Sequence, residues 1–412
     1  MKYGLIGKPL AQSFSPFLHE KLGSAPYELC EKEPEELEKF FSERDFRGVN
    51  VTIPYKKAVI PFLDELSPTA KEIGSVNTVW NENGRLFGEN TDFYGLSALL
   101  EREKIDLSGK TVLILGSGGT GATAKAVAKA KGAKAIFTAS RKPFGDFISY
   151  EKAEEWGETI DVLINTTPCG MVPETEKSPL SLAAFSNLSA VVDVIYRPLR
   201  TKLLLEAETK GIKTAGGLTM LAAQAVKSAE LFLGTTFPEE KAEELYRVLL
   251  EKERNIVLVG LPASGKTTVG RLLAEKLGKA FFDSDEMIEK RLGKSIPEIF
   301  REEGEDFFRK NEEEILLELA RKRGAVIATG GGAVLSEKAM TALRQNGILV
   351  FLDRPLEKLS VGEDRPTAPD REALLSLAKK RRPLYEKWAD LTVSGDKTAE
   401  ESAGEIEETL KK

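Results

Sequence analysis

Residues 260–267 (GLPASGKT) have the residue types and spacing of a loop that binds a triphosphate. An apolar run, Asn255–Val259, precedes this segment, and apolar residues at helical spacing follow it. Glycines let backbone N–H groups approach phosphate oxygens, Lys266 can reach the same oxygens, and the Thr267 hydroxyl can ligate Mg²⁺. The residues predicted to bind the triphosphate are Gly260, Ala263, Ser264, Gly265, Lys266, Thr267 and Thr268.

A second glycine loop, residues 116–121 (GSGGTG), follows the β-rich run Thr111–Leu115 and opens an alanine-rich helical pattern. This context is typical of dinucleotide binding, with the pyrophosphate at the helix N-terminus. The next β-rich run, Ala135–Ala139, ends in a basic turn rather than in the acid that holds the ribose of NAD. A basic turn attracts a 2′-phosphate and therefore favours NADP over NAD, although a solvated turn is the alternative. The predicted cofactor residues here are Gly116, Gly118, Gly119, Gly121, Ser140 and Arg141.

Short β-rich runs alternate with helical periodicity along the whole chain, which predicts an α/β fold with parallel sheets. A length of 412 residues favours about two or three domains. The charged stretch 238–254 is interpreted as a closing helix and connector, and the block with the triphosphate loop begins near Asn255.

The composition excludes several classes of protein. The net charge of −6 argues against a nucleic-acid partner, and no apolar run approaches the ~18 residues of a membrane span. The N-terminus resembles a strand rather than a secretion signal, and Cys30 and Cys169 provide no disulfide framework. We therefore expect a cytoplasmic protein. The single histidine, His19, is expected to be a packing or surface residue, so acid–base chemistry has to use Lys, Asp, Glu or Tyr.

Several polar motifs lie before and after the glycine loop 116–121. They are SFSPFLHE (13–20), GVNVTIPYK (48–56), GSVNTV (74–79) and GENTDFYG (88–95), followed later by INTTPCGM (164–171), DVIYRPLRTKLLL (193–205) and GGLTMLAAQAV (216–226). Taken singly, Ser13 or Ser15 could cap a helix and Asn77 or Asn90 could stabilise a turn. Taken together and in this order, the motifs resemble the shikimate dehydrogenase family across residues 1–250.

This resemblance implies NADPH-dependent reduction of 3-dehydroshikimate, with Lys56 and Asp92 as the catalytic pair. An ammonium beside a carboxylate can supply the proton without a histidine. A small polyol acid is held by hydroxyl and amide groups. The positions that match the substrate-binding residues of the family are Ser13, Ser15, Thr52, Asn77, Tyr196 and Gln224. The resemblance also adds Gly217 to the cofactor residues. The chain departs from the family at Ala122–Thr123, where an arginine is often present, and at Lys142, which replaces a threonine.

From Asn255 onward the chain resembles shikimate kinase. In FFDSDEMIE (281–289), Asp283 and Asp285 lie two residues apart, which predicts that both face the same side of a strand end. The resemblance implies that Asp283 positions Mg²⁺ together with Thr267, and that Asp285 faces the acceptor hydroxyl. It also assigns Arg365 to a lid over ATP. The further residues that it assigns to the acid substrate are Arg309, Gly330, Gly331, Gly332 and Arg381. The stretch between Arg365 and Leu384 is shorter than expected for this lid.

The predicted protein is a bifunctional enzyme of aromatic amino-acid biosynthesis that forms shikimate and then phosphorylates its 3-hydroxyl. Residues 1–102, with 216–250 returning, are expected to form an α/β substrate domain, residues 103–215 a Rossmann domain for NADP, and residues 255–412 a P-loop domain resembling nucleoside-monophosphate kinases. The expected partners are small molecules, with no nucleic acid and no membrane. Two alternatives are a dehydrogenase that also accepts quinate and a non-catalytic sensor or repressor with the same folds.

Overall fold

A computed structural model describes residues 2–10, 13–362 and 366–411 of the chain. The chain forms two compact units, here called unit 1 and unit 2, which are divided between Leu249 and Leu250. Unit 1 contains two sheets of six strands each, and unit 2 contains one sheet of five strands. In the described ranges, no helix is long and apolar enough to cross a bilayer.

The first sheet of unit 1 is mixed, in the order β2-β1-β3-β5-β6-β4. Its strands β1 and β3 are parallel, whereas β5 runs antiparallel to both β3 and β6. The elements of this lobe are β1 (Tyr3–Gly7), α1 (Ser15–Lys21), β2 (Tyr27–Glu31), α2 (Leu37–Glu43), β3 (Gly48–Val51), β4 (Glu65–Leu66), α3 (Pro68–Ile73), β5 (Thr78–Glu82), β6 (Arg85–Glu89) and α4 (Thr91–Arg102).

The second sheet of unit 1 is fully parallel, in the order β12-β11-β10-β7-β8-β9. Its elements are β7 (Thr111–Leu115), α5 (Gly119–Ala130), β8 (Ala135–Ala139), β9 (Phe147–Ile148), α6 (Tyr150–Glu155), β10 (Val162–Asn165), β11 (Ala190–Asp193), α7 (Lys202–Thr209) and β12 (Lys213–Gly216). Two further helices follow, α8 (Leu218–Leu233) and α9 (Lys241–Glu253).

Helix α8 returns from the second sheet to the first lobe. It packs closely on α4, because a Cβ atom built on Gly95 would lie 2.6 Å from the carbonyl oxygen of Met220. Glycine at position 95 therefore lets the two helices approach each other. The Ser228 hydroxyl of α8 also reaches β3 and β5, where it bonds to Asn50 Nδ2 and Thr78 Oγ1 at 2.8 Å each.

Unit 2 is built on one parallel sheet in the order β14-β15-β13-β16-β17. Its elements are β13 (Asn255–Val259), α10 (Lys266–Leu277), β14 (Ala280–Asp283), α11 (Ser284–Leu292), α12 (Ile296–Glu302), α13 (Glu305–Ala320), β15 (Ala325–Ala328), α14 (Glu337–Asn346), β16 (Gly347–Asp353), α15 (Arg371–Trp388), β17 (Leu391–Ser394) and α16 (Ala399–Lys411).

The apolar runs of the central strands explain why helices cover both faces of the parallel sheets. In β7, Val112 and Ile114 belong to one buried cluster, whereas Leu113 and Leu115 belong to another on the opposite face. Strand β13 alternates in the same way between two clusters of unit 2. Successive side chains of a strand point to opposite faces, so a continuous apolar run needs cover on both. The predicted α/β class and the strands β7, β8 and β13 are confirmed.

Candidate active sites

The predicted catalytic pair of unit 1 is assembled from two elements of the first lobe. Lys56 lies in the loop after β3, and Asp92 lies in the first turn of α4. Lys56 Nζ and Asp92 Oδ2 form an ion pair at 2.5 Å, with side chains 14% and 10% exposed. Low exposure strengthens the pairing relative to a surface ion pair. The arrangement holds a proton donor at a fixed point beside a carboxylate.

Asn77 and Asn90 fix the start of α4 and thereby the position of Asp92. Asn77 is buried, and its Oδ1 accepts a hydrogen bond from the Thr91 backbone N–H at 2.6 Å. Asn90 is the N-cap, and its side chain accepts from the Phe93 N–H. An N-cap satisfies a backbone donor that the helix itself leaves unpaired.

The other predicted substrate residues of the first lobe follow β1 and β3, with Ser13 and Thr52 on loops and Ser15 as the first residue of α1. Ser13 Oγ donates to Ser15 Oγ at 3.1 Å and accepts from the Ser15 N–H. The residue before helix α1 is Phe14, and no side chain caps this helix, so the capping role considered for the two serines does not hold. Thr52 is close to Gly7, where a Cβ atom would lie 2.2 Å from Thr52 Cγ2.

Three predicted residues come from the second sheet and from α8. Tyr196 follows β11, and its ring centroid lies 6.0 Å from that of Phe14. Gln224 lies on α8 and donates to the Leu221 carbonyl oxygen at 3.0 Å. Gly217 precedes α8, and a Cβ atom there would lie 2.0 Å from the Val194 carbonyl oxygen, so its place requires a residue without a side chain. The Phe14–Tyr196 contact brings a loop of the first lobe next to the second sheet.

The glycine loop 116–121 joins β7 to α5 as the motif predicts. Gly116 has a φ of +108°, and a Cβ atom on Gly121 would lie 2.1 Å from the Gly116 carbonyl oxygen. Both positions therefore require glycine. Gly118 precedes the helix, and Gly119 is its first residue. The free N–H groups of this helix N-terminus suit a pyrophosphate, so the loop fits a dinucleotide.

The basic turn follows β8, the strand next to β7. Ser140 is buried, and its hydroxyl lies 3.2 Å from that of Ser117 within the glycine loop. Arg141 is exposed at the same strand end, and the Lys142 N–H donates to Ser140 Oγ. An exposed guanidinium beside the loop matches the charge and the paired oxygens of a 2′-phosphate.

Ser75 is a residue at this site that the sequence interpretation did not single out. A Cβ atom on Gly119 would lie 2.8 Å from Ser75 Oγ and 3.4 Å from Lys56 Cδ. Ser75 is fully buried, and its hydroxyl has no hydrogen-bond partner among the described residues. The Lys56 side chain therefore lies against the first residue of the dinucleotide helix, and the two predicted functions of unit 1 meet there.

In unit 2 the triphosphate loop connects β13 to α10. Gly260 and Gly265 have φ angles of +155° and +92°, and Ala263 has a φ of +64°, which is uncommon for a residue with a side chain. Lys266 is buried, and its Nζ donates to the carbonyl oxygens of Gly260 and Leu261 at 3.0 and 2.9 Å. The loop backbone thus holds the Lys266 ammonium inside the loop.

Asp283 and Asp285 lie close together, but the predicted reason for this is wrong. Strand β14 ends at Asp283, and Asp285 belongs to the first turn of α11, so the two residues do not alternate along a strand. Asp283 is the N-cap of that helix, and its Oδ1 accepts from the Asp285 N–H at 2.9 Å. Its Oδ2 accepts from the Thr267 hydroxyl at 2.7 Å.

Thr267 and Asp283 together fit a magnesium ion. They offer a hydroxyl and a carboxylate in direct contact, and Mg²⁺ binds oxygen ligands while it keeps waters and substrate phosphates. Within residues 2–10, 13–362 and 366–411, no cluster of three or more His, Cys, Asp or Glu could hold a metal.

The glycines 330–332 lie directly against the charged residues of the predicted acid site. A Cβ atom on Gly330 would lie 2.5 Å from Asp285 Oδ1, and one on Gly332 would lie 1.8 Å from Arg309 Nη1. The Gly331 carbonyl oxygen accepts from Arg381 Nη1 at 2.9 Å. The turn thus brings Asp285, Arg309 and Arg381 around one backbone segment.

Glu312 is a further charged residue of this cluster that the sequence interpretation missed. It lies on α13, is only 3% exposed, and pairs with Arg309 Nη1 at 2.7 Å. Its Oε1 and the Oδ1 of Asp285 are both buried, and neither has a hydrogen-bond partner among the described residues. Burial, and then the charges of Asp283 and Glu312, raise the pKa of Asp285 to about 7. Two unpartnered carboxyl oxygens suit the hydroxyl groups of a ligand.

The predicted lid is described only in part. Arg365 lies outside the described residues. Most of the stretch from Arg365 to Leu384 belongs to α15, which carries Arg381 in its interior. Thr268 is exposed in the first turn of α10, next to Thr267.

Known proteins match both parts of the chain. Residues 5–79 match the shikimate dehydrogenase substrate binding domain, and residues 262–411 match shikimate kinase. The shikimate dehydrogenase (NADP(+)) of Clostridium perfringens strain 13 is 37% identical over 271 residues, which cover 60% of this chain and 97% of that protein. The chain belongs to the shikimate dehydrogenase family. In addition, residues 262–411 form a shikimate kinase domain.

Two solved structures extend the comparison of the dehydrogenase part. The shikimate 5-dehydrogenase of Thermus thermophilus in complex with NADP(H) and shikimate has a TM-score of 0.53 and 34% identity, covering 60% of this chain and 99% of that one. The quinate dehydrogenase of Corynebacterium glutamicum in complex with NAD has a TM-score of 0.54 and 26% identity, covering 61% and 98%.

One departure from the shikimate dehydrogenase family has a visible structural role. At Ala122–Thr123, where the family often carries an arginine, Thr123 is fully buried. Its hydroxyl donates to the Gly119 carbonyl oxygen at 3.1 Å and accepts from Asn90 Nδ2 at 3.2 Å. Thr123 therefore connects the dinucleotide helix to the N-cap of the helix that carries Asp92.

Proposed function

We propose that this chain reduces 3-dehydroshikimate with NADPH in unit 1 and phosphorylates the shikimate so formed with ATP in unit 2. The observation that supports the proposal is the Lys56–Asp92 ion pair, since the Lys56 side chain also lies against Gly119 at the start of the dinucleotide helix. We assign residues 1–102 and 216–250 to the substrate domain, 103–215 to the NADP domain and 255–412 to the kinase. The cytoplasm stays our predicted location.

In unit 1, the residues of the chain hold the ketone and deliver a proton. Ser13, Ser15, Thr52, Asn77, Tyr196 and Gln224 bind the hydroxyls and the carboxylate of the substrate. NADPH, when bound to the glycine loop and to Arg141, supplies the hydride. The Lys56 ammonium donates its proton to the carbonyl oxygen, and Asp92 keeps that ammonium charged and oriented until the transfer. A ketone thereby becomes a secondary alcohol.

In unit 2, transfer depends on positioning and on neutralising the phosphate charge. Arg309 and Arg381 bind the carboxylate of shikimate, because charge-assisted hydrogen bonds contribute about 1.5–3 kcal/mol each. Asp285 aligns the acceptor hydroxyl and accepts its proton as that oxygen attacks the γ-phosphorus. Lys266 draws charge from the β- and γ-phosphate oxygens. Thr267 and Asp283 would hold Mg²⁺, which neutralises the same oxygens when it is bound.

A coupled reaction tests the proposal directly. The purified chain is incubated with 3-dehydroshikimate, NADPH, ATP and Mg²⁺, and the formation of NADP⁺ and ADP is followed. We expect NADP⁺ first and ADP only after shikimate has formed. Shikimate added without NADPH should give ADP at once. A chain that oxidises NADPH and never forms ADP would contradict the kinase half.

Quinate is the alternative substrate for unit 1. Quinate and shikimate share the carboxylate and the ring hydroxyls that a cluster such as Ser13 and Ser15 can bind. We expect the kcat/KM for shikimate oxidation to exceed that for quinate. Both kcat/KM values are measured with NADP⁺ on the same preparation. A higher kcat/KM for quinate would reassign the substrate of unit 1.

The choice of cofactor depends on Arg141. We expect Arg141→Ala to raise the KM for NADPH by about 10–100-fold, which corresponds to the loss of one charge-assisted hydrogen bond. The KM for NADH should stay almost unchanged, since NADH has no 2′-phosphate. Lys134→Ala, which removes an exposed cation before the same strand, is the matched control. Equal increases for the two cofactors would remove Arg141 from the phosphate site.

Kinase activity should depend on the protonation of Asp285. Its raised pKa, about 7, keeps the carboxyl protonated and unable to accept a proton in mildly acidic solution. We therefore expect kcat/KM for shikimate phosphorylation to rise with pH through about 7 and then to level off. In Asp285→Asn this limb should be absent, together with most of the activity. A flat profile for the unaltered chain would contradict the role of Asp285 as the base.

The same residue should also affect stability. The pKa of Asp285 is higher in the folded chain than its ordinary value of 3.8, so the native state loses stability as the pH rises from about 4 to about 7. We expect Asp285→Asn to melt at a higher temperature than the unaltered chain above about pH 7, with a difference that narrows on acidification. Each kcal/mol of unfolding free energy that the substitution restores should raise the Tm by about 2–4 °C. The measurement is a thermal unfolding scan, in which the transition of unit 2 is recognised because ADP shifts its Tm.

A further inference from the structure

Arg354 follows β16 at the edge of the sheet where the phosphate-binding loop lies. Strands β13 and β16 are parallel, with Val259 paired opposite Phe351, so the residues after both strands leave the sheet at the same edge. A Cβ atom built on Gly265 would lie 3.5 Å from Arg354 Nη1. The guanidinium therefore lies against the residue that directly precedes Lys266.

The surroundings of Arg354 leave its charge unmatched. Its Nε is buried, and among the described residues this atom has no hydrogen-bond partner and no carboxylate forms an ion pair with the side chain. The adjacent Asp353 is already paired with Arg382, and Asp396, which follows β17, is paired with Lys358. A partly buried cation without a counter-ion is unfavourable. The position therefore suits an anion that is supplied by a ligand.

The backbone around Arg354 is held by the loop that follows β17. A Cβ atom on Gly395 would lie 2.9 Å from both Cα and Cβ of Arg354, so the loop packs directly on this residue. The Gly395 N–H also donates to the Asp353 carbonyl oxygen at 2.9 Å. The Arg354 side chain thus leaves a fixed backbone toward the N-terminus of α10.

We propose that Arg354 binds the phosphate chain of the nucleotide in unit 2 and adds a second cation to that of Lys266. The inference rests on the proposed kinase function and identifies a residue outside the loop motif. The ligand class is a nucleoside di- or triphosphate, whose oxygens accept from the planar guanidinium, which presents several N–H groups in a fixed geometry. A polyphosphate carries several negative charges, so a guanidinium beside the loop strengthens binding in addition to the Lys266 ammonium.

The test measures nucleotide affinity in the full chain. ADP and adenosine are titrated by calorimetry with Mg²⁺ into the unaltered chain, Arg354→Gln, Arg354→Lys and Arg382→Gln. We expect the Kd for ADP to rise by about 10–100-fold in Arg354→Gln and less in Arg354→Lys, which keeps the charge. The Kd for adenosine should stay constant. Arg382→Gln is the matched control, because this neighbouring arginine already pairs with Asp353 and Glu386.

Two outcomes would overturn the inference. One is an ADP affinity of Arg354→Gln equal to that of the unaltered chain; the other is an equal loss of affinity for ADP and adenosine, which would assign Arg354 to the base or to the fold. If Arg354→Gln does not fold, the test uses Arg354→Lys and the salt dependence of ADP binding. The proposal would be contradicted if Arg354→Lys bound ADP as tightly as the unaltered chain and if the binding did not depend on salt. A chain that shows the expected ADP effect but does not phosphorylate shikimate would support Arg354 and contradict the acceptor assignment.

Discussion

We expect Lys56→Ala to lower the dehydrogenase kcat by ~10²–10⁴-fold and to leave phosphoryl transfer unchanged, because we assign Lys56 as the proton donor of unit 1. Its ammonium pairs with Asp92 and lies against Gly119. The only histidine cannot replace it. His19 is 1% exposed, and burial lowers the pKa of His19 to about 3, so its ring is neutral and bonded to Ser24.

The measurement is steady-state reduction of 3-dehydroshikimate, with phosphorylation of added shikimate assayed on the same sample. Lys57→Ala is the matched control, because Lys57 is the adjacent residue and is exposed. Retained kinase activity in Lys56→Ala shows that unit 2 is folded, and unchanged NADPH binding is the check that unit 1 is folded. A loss smaller than tenfold would assign the proton to another group.

Lys266→Met abolishes the kinase and leaves reduction intact. Methionine has a similar length and keeps the buried packing, but it removes the charge that the phosphate oxygens need. Removal of one positioned electrostatic donor from an active site lowers kcat by about 10²–10³-fold, and we expect at least this loss. A coupled assay should then accumulate shikimate while NADPH is consumed.

The matched control for this variant is Lys276→Met on the same helix, where the side chain is 45% exposed. Its kinase activity should equal that of the unaltered chain. ADP binding separates the two possible reasons for a loss: Lys266→Met should bind ADP weakly while its melting temperature in the absence of nucleotide stays unchanged. An active Lys266→Met kinase would reject the role of this loop.

Local sequence patterns were sufficient to predict the strands that lead into both glycine loops. The runs Thr111–Leu115 and Asn255–Val259 are apolar throughout most of their length, and a parallel strand covered on both faces needs that composition. The glycine positions were also predictable, because positive φ angles and close backbone contacts exclude other residues at Gly116, Gly121 and Gly265.

The surroundings of each site depended on contacts between distant segments and could not be predicted. Glu312 was not singled out, because nothing near it along the chain indicates that α13 brings it next to Asp285 and Gly330. The prediction that Asp285 lies on a strand beside Asp283 was wrong, because β14 ends at Asp283 and α11 begins at the next residue. Asp283 caps a helix directly at the strand end, and a cap of this kind moves the next side chains off the strand geometry.

The buried hydroxyl and amide network of unit 1 was likewise missed. Asn50, Thr78 and Ser228 hydrogen-bond to one another across a separation of 178 residues at its widest. A polar residue at an inward-facing position of β3 was the only signal in the sequence, and its partner on α8 becomes visible only in the fold. The network explains how a late helix is fixed to the lobe that binds the substrate.

The glycine turn 330–332 bears on resistance to inhibitors. An inhibitor seated on this turn would contact three positions where any side chain collides with Asp285, Pro262 or Arg309. Two of those residues, Asp285 and Arg309, are ones that we propose bind the substrate. An organism that mutated the turn to escape such a drug would displace its own acid-binding groups, so escape has to begin elsewhere in the pocket.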